Sequence, residues 1–185
     1  AADLMLSFYE NLVEINGLTP RGIVSPISGN ALFYYNYKLE GTYLENDQLV
    51  NKIKVIPKRK NDPVFTGDIY IVEDSWRIHS ADLFITKNQQ IEFIDTFRIR
   101  QNFVSVTPEL WMPFSNELNF EFRALGFHGV GSVLGVFSSY VISPEFKNGF
   151  FSGQVMKVEK EANKKDSAYW MSVRPVPLTK LEETD

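Results

Sequence analysis

Cysteine is absent from the 185 residues, which removes disulfides, thiolate zinc sites and cysteine nucleophiles from consideration. Histidine is nearly absent too. His79 and His128 stand alone, and neither has a partner at a metal-ligand spacing such as H-E-x-x-H. No metal and no cofactor is expected. A domain of this length does not require staples, so an oxidising compartment stays open to it. No apolar run approaches the roughly 20 residues of a spanning helix. The opening AADLMLSFYE lacks the basic n-region and apolar h-region of a signal peptide, so the expectation is a cytosolic chain or one cut from something longer. Positive charge is not in excess either. With 19 Lys and Arg against 23 Asp and Glu, the net charge is −4, and a nucleic-acid partner is not expected.

Catalytic constellations are missing as well. There is no G-x-S-x-G elbow, since Ser138 and Ser139 in GVFSSYV sit inside a strand pattern. GVGSVLG, Gly129 to Gly135, has one residue too many for G-x-G-x-x-G and leads into a strand, not a helix. These glycines read as sites of sheet bending or close backbone approach. Asp and Glu fall mainly in turns and on alternating polar faces, so the chain reads as non-enzymatic. A hydrolase of envelope glycans, built on two acids meeting in space, is the remote alternative.

What is present points to one mainly β globular domain. Hydrophobic residues make up 44% of the chain and aromatics 14%, with 15 Phe, 8 Tyr and 3 Trp, which suits pleated surfaces and an aromatic-lined cavity. Over residues 3 to 14, Leu4, Phe8 and Leu12 recur at a spacing of four, with Asp3 as N-cap and Gly17 past the end. That spacing predicts one amphipathic helix, with a linker to about residue 20. From Ala31 the apolar period becomes two. In ALFYYNYKLEGTYL, Phe33, Tyr35, Tyr37 and Leu39 share a face while Asn36, Lys38 and Glu40 take the other. About seven such strands follow with short turns and no helical crossover, over residues 30–143. This requires an antiparallel meander, here expected as a single strongly curved sheet, a half-barrel with one or two short helices. Beyond Pro144 the pattern weakens into an extension, 144–185, in which VEKEANKKDSAYW reads as a loop or short helix and MSVRPVPLT is too proline-rich to be either.

Individual positions sharpen the reading. Lys58, Arg59 and Lys60 sit between Pro57, which cannot donate to a ladder, and the turn residues Asn61, Asp62 and Pro63, with Gly67 leading into the next strand. They read as a solvated hairpin loop, and alternatively as a loop contacting an anion or lipid headgroup. A three-residue turn at NQQ would pair Lys87 with Ile91, placing Ala81, Leu83 and Ile85 on one face with Phe93, Phe97 and Ile99, and Asp95 opposite Leu83 among apolar neighbours. His79 is expected on the apolar side of its strand. Strands with two apolar faces need cover on both sides, and a curling sheet makes a cavity. One helix about 18 Å long cannot cover seven strands. Phe33, Tyr35, Tyr37, Leu83, Phe93 and Phe97 are therefore the candidates to line a cleft for a lipid, another apolar ligand or an extended polypeptide segment. The competing expectation is a docking domain with no ligand.

The runs FYENLVEINGLTPRGIVSPISGNALFYYNYKLEGTY, NKIKVIPKRKNDPVFTGDIYIVEDSWRIHSADLFITK, DTFRIRQNFVSV and YWMSVRPVPLT resemble a family of Bacteroidetes outer-membrane proteins. Its members carry an export signal, a carboxypeptidase-regulatory-like β-sandwich, a conserved domain of unknown function and a C-terminal barrel. The resemblance runs from about Leu6 to Thr179. It implies the middle soluble domain, with a periplasmic address at the cell envelope, neighbouring domains of the same polypeptide as partners, and the outer membrane reached through the barrel. It brings no catalytic residues. A second likeness, over about half the chain, is to the periplasmic lipoprotein-carrier fold, in which a curved antiparallel sheet wraps around helices and an apolar cavity.

Overall fold

The computed structural model describes residues 6–15, 18–19, 21–89, 91, 94–124, 127–150, 152, 160–161 and 164–179. They form two compact units, residues 1–138 and 139–185. The first is mainly β. Two short strands, β1 (Leu12–Val13) and β2 (Ile23–Val24), pair with each other. Seven longer ones follow: β3 (Tyr35–Glu45), β4 (Gln48–Pro57), β5 (Thr66–Val72), β6 (Ile78–Thr86), β7 (Thr96–Thr107), β8 (Leu110–Ala124) and β9 (Phe127–Val136). Each pairs antiparallel with the next in chain order, and the sheet stays open, with β3 and β9 as its edges. This is the meander that uninterrupted period-two patterning demands, because no segment between strands is long enough for a parallel crossover. At Asn46 and Asp47 both φ angles are positive, 48° and 61°, the two-residue geometry whose twist matches the flanking strands.

One face of this sheet is the core. Val55, Ile69, Ile71, Ala81, Leu83, Ile85, Phe97 and Ile99 are buried on it, joined by Leu118. The turn after β6 is longer than the NQQ reading allows. Leu83 pairs with Ile99 and Ile85 with Phe97, so the connection spans residues 87–95, opened by a 3-10 turn at Lys87–Gln89. The difference from the expected register is an even number of residues, so the same side chains still share the face although every pairing changes. Asp95 is consequently not opposite Leu83 among apolar groups. It lies beyond the strand, 3.1 Å from Lys87 and 3.9 Å from Arg123. His79 departs as well: Tyr70 pairs with Ser80 and Ile71 with Ile78, leaving His79 as the extra residue of a bulge. It turns away from the core, 3.7 Å from Glu45 and with its ring 6.1 Å from that of Trp111.

The N-terminal helix is not what covers the core face. Asp3, Leu4 and Gly17 lie outside the described residues, but Leu12–Val13 is a strand and Leu12 is 45% exposed. A helix of some twelve residues is marginal by itself, and here tertiary partners select an extended path. Leu6, Phe8, Val13, Leu18, Ile23 and Val24 are buried in the same cluster as the sheet's core residues. Side chains rooted mostly in the sheet satisfy the backbone of this irregular segment. The Tyr35 hydroxyl donates to the Val24 carbonyl at 2.5 Å and accepts from the Phe65 N–H at 3.0 Å. Tyr37 donates to the Pro26 carbonyl at 2.6 Å, and Gln101 Nε2 to the Leu6 carbonyl at 2.8 Å. Ser25 closes the segment on itself by donating to the Phe8 carbonyl at 2.5 Å. Phe8 meets Phe65 edge-on at 5.6 Å, an arrangement favoured by the ring quadrupoles.

Two glycine sites are dictated by close approach. At Gly67, φ is +138° and a Cβ would stand 2.2 Å from the Asp82 carbonyl oxygen. On β9, Cβ atoms at Gly131 and Gly129 would fall 2.2 and 2.3 Å from the rings of Phe120 and Phe122. Close approach is therefore what part of the GVGSVLG run is for. The second unit contains α1 (Ser167–Val173), whose N-cap Asp166 accepts from the Tyr169 N–H at 2.8 Å. The helix takes in Met171, Ser172 and Val173, residues read from sequence as too close to proline for any element. It ends at Arg174, ahead of Pro175, as the proline ring requires. No described helix is long and apolar enough to cross a membrane, which says nothing of strands.

Replacing Gly67 with Ala combines a left-handed backbone penalty with a backbone clash. We expect a loss of about 3 kcal/mol in chemical denaturation, and a loss below about 0.5 kcal/mol contradicts the close approach. Burial raises the pKa of Tyr35 above its ordinary value of 10.0 and pushes that of Tyr37 up to about 12. Both hydroxyls are neutral in the fold, so their stabilisation is complete below pH 10 and drains away as pH climbs through the folded values. The urea midpoint is expected to fall between pH 10 and pH 12, and to fall less in Tyr37→Phe. A flat midpoint over that range contradicts it.

Candidate functional site

Opposite the core, alternate positions of β4 to β8 carry charge, while towards one end of the same face Val50 and Val72 pair with each other and are buried. Register lines up Lys54, Asp68, Asp82, Arg100 and Glu117 across five strands. The consequence is a ladder of cross-strand contacts. Lys52 Nζ lies 3.0 Å from Glu40 and 3.3 Å from Asp68, and Lys54 lies 3.7 Å from Glu40. Asp82 accepts two 2.6 Å hydrogen bonds from Arg98 Nε and Nη2, the fork geometry suited to a carboxylate. Arg100 bridges Asp82 at 3.4 Å and Glu117 at 3.2 Å, and Asn119 donates to Glu117 at 2.8 Å.

Asp68 and Asp82 face each other directly across β5 and β6, a repulsive placement. Each is neutralised from its outer side, by Lys52 and by Arg98. Burial alone would raise the Asp82 pKa, but the Arg98 hydrogen bonds together with the Arg98 and Arg100 charges hold it below the usual carboxylate value. Hydrogen bonding to Glu40, then Asp68, lifts the Lys52 ammonium to about 12. Beside this ladder, over β7, β8 and β9, lies a groove of about 460 Å³ whose lining includes Thr96, Arg98, Arg100, Asn119, Glu121 and Ser132. Its two guanidinium groups are already engaged by carboxylates. Among the described residues no cluster of three or more His, Asp or Glu is arranged to hold a metal ion.

The residues singled out from sequence do not converge on a cleft. Tyr35, Leu83 and Phe97 are core residues beneath the N-terminal segment, with no surface left for a ligand. Tyr37 is half-buried and held to Pro26. Phe33 lies in a 3-10 turn, Ala31–Phe33, and is 75% exposed. Phe93 lies outside the described residues. The ladder itself went unread, although its members recur at one alternate position per strand; the signal appears only once the strands are laid in register.

The basic loop does join β4 to β5. Lys58 Nζ donates to the Leu32 carbonyl at 2.7 Å. Arg59 donates to Asp62 through Nε at 2.7 Å and stacks 5.9 Å over the Tyr34 ring. Lys60 contributes its backbone carbonyl, which accepts from Gln89 Nε2 at 3.1 Å. The Lys58 and Arg59 side chains thus point to different partners, and Lys60 is held through its backbone carbonyl. Replacing Lys58, Arg59 and Lys60 together by Ser is therefore expected to shift stability by no more than about 1 kcal/mol, since exposed ionic contacts are screened. Loss of the cooperative thermal transition is the outcome that contradicts it.

No curated protein and no solved structure matches this chain. A family model described as a family of unknown function, DUF5686, matches residues 1–140. Covering more than half of the 185 residues, that match places the chain in a group defined by its sequence and not by an activity: the protein belongs to the DUF5686 family.

Proposed function

We propose that the chain is a non-enzymatic docking domain of a larger outer-membrane protein, standing on the periplasmic side and holding neighbouring domains of the same polypeptide, with no lipid cargo. One observation carries this reading: the aromatic face expected to line a cleft is filled by the chain's own residues 6–34, through Phe8, Val13, Leu18, Ile23 and Val24. The opposite face carries a charge ladder, which suits water or a polar neighbour and disfavours an acyl chain. The resemblance in the sequence supplies the address and the neighbours.

Phe97→Glu separates docking from carriage. With Phe97 in the core, a buried carboxylate there removes packing and strands a charge, so the variant is expected to lose about 3 kcal/mol or more and to unfold cooperatively at lower denaturant. A carrier would keep its fold and lose only its ligand. Native mass spectrometry and lipid extraction of the purified chain are expected to recover no apolar molecule. A co-purifying fatty acid or phospholipid, released by a Phe97→Glu variant that stays folded, overturns the docking reading.

A further inference from the structure

The two edges of the sheet are protected very differently. An edge strand offers unpaired N–H and C=O groups to any passing strand, and soluble proteins blunt it with charge, proline or bulges. Edge β3 has these devices: Lys38, Glu40 and Glu45 lie along it, and a bulge between Leu39 and Gly41 breaks its register. Edge β9 has none of them. Its ten residues, FHGVGSVLGV, include no Lys, Arg, Asp, Glu or Pro, and its pairing with β8 runs without a register shift. Apolar side chains stand out from it, Phe127 at 75% exposure, Val130 at 70% and Leu134 at 47%. Among the described residues no strand pairs with its outer side.

We infer that β9 is a self-association edge, pairing antiparallel with β9 of a second copy to join two seven-strand sheets. The strand itself argues for a second copy as the partner. β9 carries no Lys, Arg, Asp or Glu, so two copies set edge to edge along it oppose no like charges. The strand is also complementary to itself. A two-fold axis through Ser132 sets Val130 opposite the partner's Leu134 and His128 opposite the partner's Val136 on one face, with Gly131 opposite the partner's Val133 on the other. The most exposed aliphatics of the strand, Val130 and Leu134, thus meet each other, and Gly129 faces the partner's Gly135. A two-fold contact of this isologous kind closes at two copies instead of propagating.

The absence of cysteine makes the register testable. In this pairing the two Ser132 Cα atoms stand roughly 4.5–5.5 Å apart, within disulfide reach. The 185-residue chain is expected to show, by light scattering on a sizing column, a mass approaching twice its 21.3 kDa as concentration rises. Ser132→Cys is expected to form a covalent dimer under mild oxidation, while Lys60→Cys on the basic loop stays monomeric. Val130→Lys combined with Leu134→Lys is expected to keep the circular dichroism spectrum and thermal transition of the parent and to run as a monomer. A single-chain mass at every concentration, with no Ser132→Cys dimer, overturns the inference. So does a monomer whose β9 amides resist hydrogen exchange, which assigns the cover to the chain's own residues, and so does a dimer unaffected by the lysine pair, which places the contact elsewhere. The docking reading is judged separately by the Phe97→Glu and lipid measurements and does not depend on this result.

Discussion

The hydroxyl of Tyr35 sits at the constraint on which the fold turns. An irregular segment laid over a sheet brings buried backbone amides and carbonyls that cannot reach water, and each must find a partner or cost free energy. Tyr35 serves the Val24 carbonyl and the Phe65 N–H with one atom. Tyr37 and Gln101 repeat the arrangement at Pro26 and Leu6. Because these anchors are side chains of sheet strands, the cover is fixed by the same elements it shields. Residues 6–34 can therefore do without a helix. Phe8, Leu18 and Ile23 of that segment are buried in one cluster with Leu83, Ile85 and Ile99.

The opposite face obeys a different rule. A row of five charged positions across five strands needs each charge countered by a neighbour, and the sequence of contacts from Glu40 through Lys52, Asp68, Asp82, Arg98 and Arg100 to Glu117 supplies that except at the Asp68–Asp82 step. There the two carboxylates are held apart in charge by cations on their outer sides. Partly exposed pairs of this sort add little stability singly. Their larger effect is on specificity: slipping any strand by one residue would drive Asp82 and Arg98 into the apolar face and lift Leu83 and Phe97 out of it. Register and electrostatics enforce the same pairing.

A sheet covered on one side by its own chain and carrying paired charges on the other has its least satisfied backbone groups at its edges. β3 is defended by charge and a bulge, and β9 is not. The glycines of β9 that receive the rings of Phe120 and Phe122 tie that strand to β8, and among the described residues no strand pairs with its outer side.

Legibility divided along a physical line. Strand number, antiparallel order and which side chains share a face were readable because alternation is a property of consecutive residues, and the turn at Asn61, Asp62 and Pro63 ahead of Gly67 was readable because backbone preferences are local. The membership of the core face even survived a wrong turn length, since parity alone determines it. The helix over residues 3–14 failed because a spacing of four in Leu4, Phe8 and Leu12 describes a segment in isolation, whereas its backbone partners are Gln101 at the Leu6 carbonyl, Ser25 at the Phe8 carbonyl and strand β2, all outside the segment. The cover of the core was missed for the same reason: aromatic content was visible, but what would lie over Tyr35 and Phe97 was not. The sequence by itself thus determined which residues alternate and where the chain turns. Only the tertiary structure decided which strands' charges meet and which segment closes the core, because those depend on distances between residues that the chain order keeps far apart.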